Sequence, residues 1–119
     1  MDRIILEALP VKAHIGTLPG EIDREQPLQI RAELSGDFRQ AGISDDLKDT
    51  FDYSRIESRL AELVQTSRFH LLEALAEHLC ATILAEEPKV LSLRLRIDKP
   101  GAARLARCVS LEIERSRTK

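Results

Sequence analysis

Glu73 is the residue whose position carries the clearest chemical meaning, within the stretch 68–77 read Arg-Phe-His-Leu-Leu-Glu-Ala-Leu-Ala-Glu. Apolar residues recur around it at helical spacing, which predicts a helix over about 71–87: Leu72, Leu75, Leu79 and Ile83. Glu73 then lies in the first turn, where backbone N–H groups are unpaired and the helix dipole favours negative charge. An ionised carboxylate there can accept two parallel N–H bonds from a planar, amidine-like ligand edge. The plainer alternative is that Glu73 only complements the helix dipole.

Composition limits what such a site can serve. The 119 residues are 43% hydrophobic and 32% charged, which is typical of one folded domain over 1–119. The net charge of -2 and the 3% of aromatic residues give no reason to expect nucleic acid or an anionic membrane as a partner.

The cysteines and histidines suggest neither a disulfide nor a metal site. Cys80 and Cys108 are far apart in the sequence and form no Cys-x-x-Cys pattern, so we expect a reduced, cytoplasmic protein. The histidines share no metal-ligand spacing, and we assign them to surface or packing roles: His14, His70 and His78. The first residues have an acid inside a short apolar run, unlike a signal peptide, and no run approaches membrane-spanning length.

Alternating apolar and polar residues predict four strands around the helical region. The first covers 3–15, with a bulge near 7–9 because Ile4 and Leu6 have the opposite parity to Leu9. Pro19-Gly20 marks the loop that follows. The other predicted strands cover residues 28–35, 90–97 with Leu91 facing the core, and 109–114.

Between the second and third strands, the sequence predicts two helices. Residues 36–50 read as a polar, ordered loop. The first helix begins at Tyr53 with Asp52 as its N-cap, and the second contains Glu73. The order is ββααββ, an α+β fold in which two helices cover one face of a four-stranded antiparallel sheet.

The opposite face of this sheet is charged, and arginine–glutamate pairs across the strands can satisfy it: Arg31, Glu33, Arg94, Arg96, Glu112 and Glu114. Such a sheet keeps two open edges, which proteins normally cover or pair. Closure by identical neighbours into a barrel removes both edges, so the pattern predicts a homo-oligomer.

Four pieces of sequence, in order, resemble bacterial dihydroneopterin aldolases of folate biosynthesis. They are His14-Ile-Gly followed by Glu21, Thr50-Phe-Asp-Tyr, the stretch 68–77, and Asp98-Lys-Pro-Gly-Ala. The connector over 41–47 is also similar to that family, and the resemblance extends from Asp2 to about Arg115.

The resemblance implies the tunnelling fold, with four chains closing one barrel, two rings stacking into an octamer, and sites between neighbouring chains. Glu73 would anchor the pterin, and Lys99 would be the catalytic lysine with Glu21 beside it. Tyr53 would come from the adjacent subunit as a catalytic residue. Backbone near Asp52 and Leu72 would border the pterin. No cofactor and no metal are implied.

Each of these assignments has a plainer alternative. Lys99 before Pro100 could be an ordinary turn lysine, Tyr53 a packing residue at a helix start, and Glu21 a solvated loop acid. Two other functions also remain open. One is epimerisation of dihydroneopterin triphosphate, for which Arg104 or Arg107 could bind phosphate. The other is a non-catalytic, pterin-binding or assembly protein on the same fold.

Overall fold

The computed structural model describes residues 1–117. Three α-helices are present in that range: α1 (Arg39–Ser44), α2 (Tyr53–Thr66) and α3 (Leu72–Glu86). The strands are β1 (Asp2–Ile15), β2 (Glu25–Gly36), β3 (Arg68–Phe69), β4 (Ser92–Pro100) and β5 (Cys108–Ser116). Short 3-10 turns lie at Glu21–Asp23 and Leu47–Asp49. The α+β class predicted from the sequence is confirmed.

Within residues 1–117 the strands form one five-stranded sheet in the order β3-β1-β2-β4-β5. The prediction of four strands is therefore wrong by one. β3 adds a short parallel pairing at the end of β1, where His14 is opposite Arg68 and Ile15 is opposite Phe69. The other three pairings are antiparallel. A strand of two residues is too short for alternation to reveal it in the sequence.

The predicted bulge in β1 is confirmed. The register between β1 and β2 shifts between Leu6 and Leu9, and Ala8 there has a φ of 52°. That left-handed conformation is unusual for a residue with a Cβ and is found where a strand must bend. The bulge exchanges the faces of β1, which explains why its apolar residues change parity.

The core lies between the sheet and the two long helices. α2 buries Ile56, Leu60, Leu63 and Val64, and α3 buries Leu75, Ala76, Leu79, Cys80 and Ile83. The Asp52 side chain caps α2, accepting from the backbone of Ser54 at 2.9 Å and of Arg55 at 3.4 Å. This cap is the one predicted, and it fixes where Tyr53 begins the helix.

β4 differs from its predicted bounds at both ends. The strand begins at Ser92 rather than at Val90. Val90 is buried just before the strand, whereas Leu91 is 39% exposed and does not face the core. At the other end the strand continues to Pro100. Lys99 consequently lies within β4, with the same parity as the buried Leu95 and Ile97.

The connector and the tail also differ from expectation. The loop predicted over residues 36–50 contains α1, which the sequence could not indicate because none of its residues is buried and no apolar period arises. The tail was expected to be loose from Arg115, but β5 includes it and the Arg117 guanidinium donates to the carbonyls of Glu87 and Val90, both at 2.7 Å. Thr118 and Lys119, also assigned to that tail, lie outside the described residues.

The sheet face away from the helices holds ion pairs between neighbouring strands, as predicted. Arg94 on β4 reaches Glu114 on β5 at 2.9 Å, and Arg3 on β1 reaches Glu33 on β2 at 3.2 Å. Arg31 also pairs with Glu33, which is almost fully buried among these arginines. No helix of residues 1–117 has the length and apolar character needed to cross a membrane.

Candidate active site

Lys99 and Glu21 form an ion pair at one end of the sheet. Lys99 Nζ donates to Glu21 Oε2 at 2.9 Å, and the two side chains are only 12% and 10% exposed. The alternation of β4 explains the lysine: after Leu95 and Ile97 in the core, the next residue of that parity is Lys99. A charged lysine at the margin of an apolar core requires a partner, and Glu21 supplies it.

The carboxylate of Glu21 is held by its own loop. After Pro19, Gly20 takes a left-handed conformation and the chain enters the 3-10 turn that begins at Glu21. Glu21 Oε1 accepts the backbone N–H of Leu18 at 3.2 Å. Gly16 lies directly beneath the carboxylate: a Cβ built there would be 2.0 Å from Glu21 Cδ. The close approach therefore requires glycine at position 16.

These contacts keep Glu21 ionised. The hydrogen bond from Lys99, followed by that from the Leu18 backbone, lowers the pKa of Glu21 below its ordinary value of 4.5, against the opposing effect of burial. The Glu21 carboxylate thus accepts from Lys99 in a fixed direction.

Glu73 lies in the first turn of α3, as predicted. The N-cap residue of that helix is Leu71, whose side chain cannot accept a hydrogen bond. The backbone N–H groups of the first turn therefore have no side-chain cap, whereas those of α2 are capped by Asp52. Glu73 is exposed, and Leu72 beside it is half-buried. The segment therefore offers a carboxylate acceptor next to backbone donors, as a planar amidine-like edge requires.

The beginning of α3 lies near the Lys99–Glu21 pair. β3, just before the helix, pairs with the end of β1 at Ile15. His70 then donates from Nδ1 to the carbonyl of Gly16 at 3.0 Å. Because Gly16 also supports the Glu21 carboxylate, the structure brings Glu73, Leu72, Glu21 and Lys99 to the same end of the sheet.

Tyr53 and Asp52 lie elsewhere in the same chain. Tyr53 is 54% exposed and lines a groove of about 450 Å³ against the bulged part of β1, including Leu6, Ala8 and Pro10. Among residues 1–117, the polar contacts of Lys99 and Glu21 do not include Tyr53.

Sequence reasoning missed two side chains that hold this site. Gln26 donates to the carbonyls of Ile15 at 2.5 Å and of Glu21 at 3.4 Å, closing the loop between them. His70 is exposed, which agrees with the surface or packing role predicted for it, and its ring also hydrogen-bonds to the loop of Glu21. No periodic pattern marks a side chain that bonds to a distant backbone carbonyl, so the sequence held no signal for either.

The chain is thus a small α+β domain. A lysine–carboxylate pair lies at the end of its helix-backed sheet, and a second carboxylate lies in the first turn of α3. The family model "FolB: Dihydroneopterin aldolase" matches residues 4–114. The chain belongs to the dihydroneopterin aldolase family.

Individual relatives agree. A dihydroneopterin aldolase of Methylorubrum extorquens is 39% identical over 101 residues, which cover 85% of this chain and 78% of that protein. The structure of FolB from Vibrio cholerae is 37% identical, with a TM-score of 0.92 and 98% of each chain covered. Escherichia coli dihydroneopterin aldolase, solved in complex with neopterin, is 34% identical with a TM-score of 0.90, covering 98% of this chain and 100% of that one.

Proposed function

We propose that the protein cleaves 7,8-dihydroneopterin by a retro-aldol reaction, giving 6-hydroxymethyl-7,8-dihydropterin and glycolaldehyde. Membership of the family supports the reaction. The nearly buried pair of Lys99 with Glu21 at 2.9 Å is the single observation that supports the catalytic roles assigned to these two residues. The pair is fixed, partly shielded from water and adjacent to the segment that bears Glu73.

The reaction removes the proton of the side chain's 2'-hydroxyl and breaks the bond between C1' and C2'. The electron pair moves into the conjugated C=N bond of the dihydropterin, and C1' is then protonated. Because the substrate contains its own electron acceptor, neither a Schiff base nor a metal is required. Lys99, acting through a bound water, would take up the hydroxyl proton and return a proton to C1'. Glu21 would orient Lys99 or the water.

Pterin recognition is assigned to the beginning of α3. Glu73 would accept the 2-amino group and the ring N–H, while the backbone N–H groups near Leu72 would donate to the ring. The absence of a side-chain cap at Leu71 supports this role, because the amides remain available to a ligand. The neopterin complex of the Escherichia coli relative supports the ligand class.

Tyr53 and Asp52 would reach the pterin from a neighbouring copy. The described polar contacts of Lys99 and Glu21 do not include Tyr53, and the groove at Tyr53 is of a size that suits a small ligand. Within residues 1–117, the outer edge of β5 and most of that of β1 pair with no strand. Closure of four such sheets, with two rings stacked, would cover the edges and complete four sites in each ring.

Product analysis tests the reaction. Purified protein is incubated with 7,8-dihydroneopterin and with its triphosphate, and the products are separated by chromatography. We expect 6-hydroxymethyl-7,8-dihydropterin and glycolaldehyde, with the 2'-epimer as a minor product. Activity should survive a chelator and borohydride treatment. Epimer as the main product, formed chiefly from the triphosphate, would instead identify an epimerase.

A further inference from the structure

His70 makes a contact that the proposed mechanism leaves unexplained. Its Nδ1 lies 3.0 Å from the carbonyl oxygen of Gly16, 54 residues earlier in the chain. A carbonyl can only accept, so Nδ1 carries the proton and donates it. The donor belongs to the segment that leads into α3, whereas the acceptor belongs to the loop that carries Glu21.

The acceptor side of this bond is in direct contact with the Glu21 carboxylate. Gly16 has a φ of 141°, and a Cβ there would overlap Glu21 Oε1 at 2.0 Å. A shift of the Gly16 peptide would therefore move the surface on which the carboxylate rests. Lys99 would follow, because it is bound to the other carboxylate oxygen at 2.9 Å.

The donor side is equally close to the proposed pterin anchor. The backbone pairing of β3 with β1 ends at Phe69 and Ile15, and the next position would bring His70 opposite Gly16. The His70 side chain thus continues a pairing that the backbone ends. Only Leu71 separates it from Leu72–Glu73, and α3 has no side-chain cap of its own to hold its beginning.

We propose that His70 is a positioning residue that fixes the substrate-anchoring turn of α3 relative to the Lys99–Glu21 pair. This inference rests on the proposed function, because it assigns the pterin to Glu73 and the proton transfer to Lys99. The hydrogen bond of His70 goes to the Gly16 backbone, not to Glu73 or Lys99. It sets the separation between the group that holds the ring and the pair that acts on the side chain.

A second contact joins the same two segments and provides a comparison. Arg68 reaches Asp23 at 2.6 Å, but the two side chains are 53% and 72% exposed. Exposed ion pairs of this kind contribute little to structure because water screens them and both side chains lose entropy. His70 is also exposed, but it bonds to the backbone of Gly16, which lies against the Glu21 carboxylate, whereas the Arg68 side chain reaches the side chain of Asp23.

The test compares His70→Ala with His70→Asn, since the Asn Nδ2 is attached to Cγ as the histidine Nδ1 is. Controls are Arg68→Ala and His78→Ala; His78 packs on Phe69 with ring centroids 5.5 Å apart. We expect His70→Ala to lower kcat about tenfold while the Kd for neopterin changes less than about twofold, because the anchor stays and the geometry is lost. His70→Asn should restore most of kcat. Both controls should keep kcat near the wild-type value even where Tm falls.

Long-range nitrogen NMR spectra of the wild type should show the His70 ring as the Nδ1–H tautomer. The inference is overturned if His70→Ala keeps wild-type kcat, if neopterin affinity falls in parallel with kcat, or if asparagine restores Tm but not turnover. These outcomes are separate from failure of the proposed function, which would appear as an inactive wild-type protein.

Discussion

Lys99 Nζ lies 2.9 Å from Glu21 Oε2 although 78 residues separate the two in the sequence. Both side chains are nearly buried, so little water is available to either one as an alternative partner. Removing one member leaves the other charge buried and unpaired, which costs more than the pair itself contributes. Stability and activity should therefore both respond to changes in this pair.

The first prediction concerns pH. The pKa of Glu21 is lowered in the folded protein from 4.5, so its ionised form stabilises the fold above that value, and this contribution is lost as pH falls through the lower, folded pKa. The free energy of unfolding of the wild type should therefore drop more steeply below about pH 4.5 than that of Glu21→Gln. Denaturant unfolding at a series of pH values measures this, with the exposed Glu112→Gln as control. Parallel curves for wild type and Glu21→Gln would contradict the assignment.

A second prediction concerns the surface beneath that carboxylate. Gly16→Ala places a Cβ 2.0 Å from Glu21 Cδ at a φ of 141°, so the side chain must leave its present position. We expect turnover to fall at least about tenfold, because displacing a catalytic group by about 1 Å costs that much or more. Gly42→Ala is the control: nothing lies within 4 Å of its added Cβ. Steady-state kinetics showing equal turnover for both variants would argue against a fixed Glu21.

The third prediction concerns Glu73. Glu73→Gln preserves shape but loses the charge and replaces an acceptor by a donor. A hydrogen bond to a charged group contributes about 1.5–3 kcal/mol, so affinity for neopterin should fall roughly ten- to a hundred-fold. Calorimetric titration measures it, with Glu77→Gln, one turn further along α3, as the matched control. Unchanged affinity in Glu73→Gln would return this residue to complementing the helix dipole.

A fourth prediction tests whether sites are shared. Lys99→Ala and Tyr53→Phe should each lower kcat more than they weaken binding, because both residues would act on the transition state. If Tyr53 serves the Lys99 of another copy, hetero-oligomers of the two variants contain some intact sites and regain activity. Light scattering should give a tetramer or an octamer. A monomer, or no recovery after verified subunit exchange, would exclude a shared site.

The main elements could be predicted from the sequence because they depend on periodic burial. The alternation in β2 and the stripe of α2 follow directly from which side chains leave water, and even the bulge at Ala8 was visible as a change of parity. β3 and α1 were missed for one physical reason: neither is long enough, or buried enough, to generate a period.

The candidate site also has parts that the sequence could predict and parts that it could not. Glu73 in a first turn could be expected from helix chemistry, and the meeting of Glu21 with Lys99 was expected only through resemblance to a family. The support beneath them could not be predicted, because Gln26 and His70 bond to backbone carbonyls rather than to complementary side chains. Any residue type offers such a carbonyl, so no sequence pattern identifies the partner.

We expect the strand order β3-β1-β2-β4-β5 to influence the order of events in folding as well. β1 and β2 are neighbours in the chain, joined by residues 16–24, so we expect their hairpin to form before contacts that span more of the sequence. Lys99 is brought to Glu21 by the pairing of β4 with β2, in which Asp98 is opposite Gln29. Closing so long a loop is entropically slow. We expect a folding intermediate trapped before β4 docks to have an ordered hairpin but no catalytic pair, so that activity returns later in refolding than helical circular dichroism does.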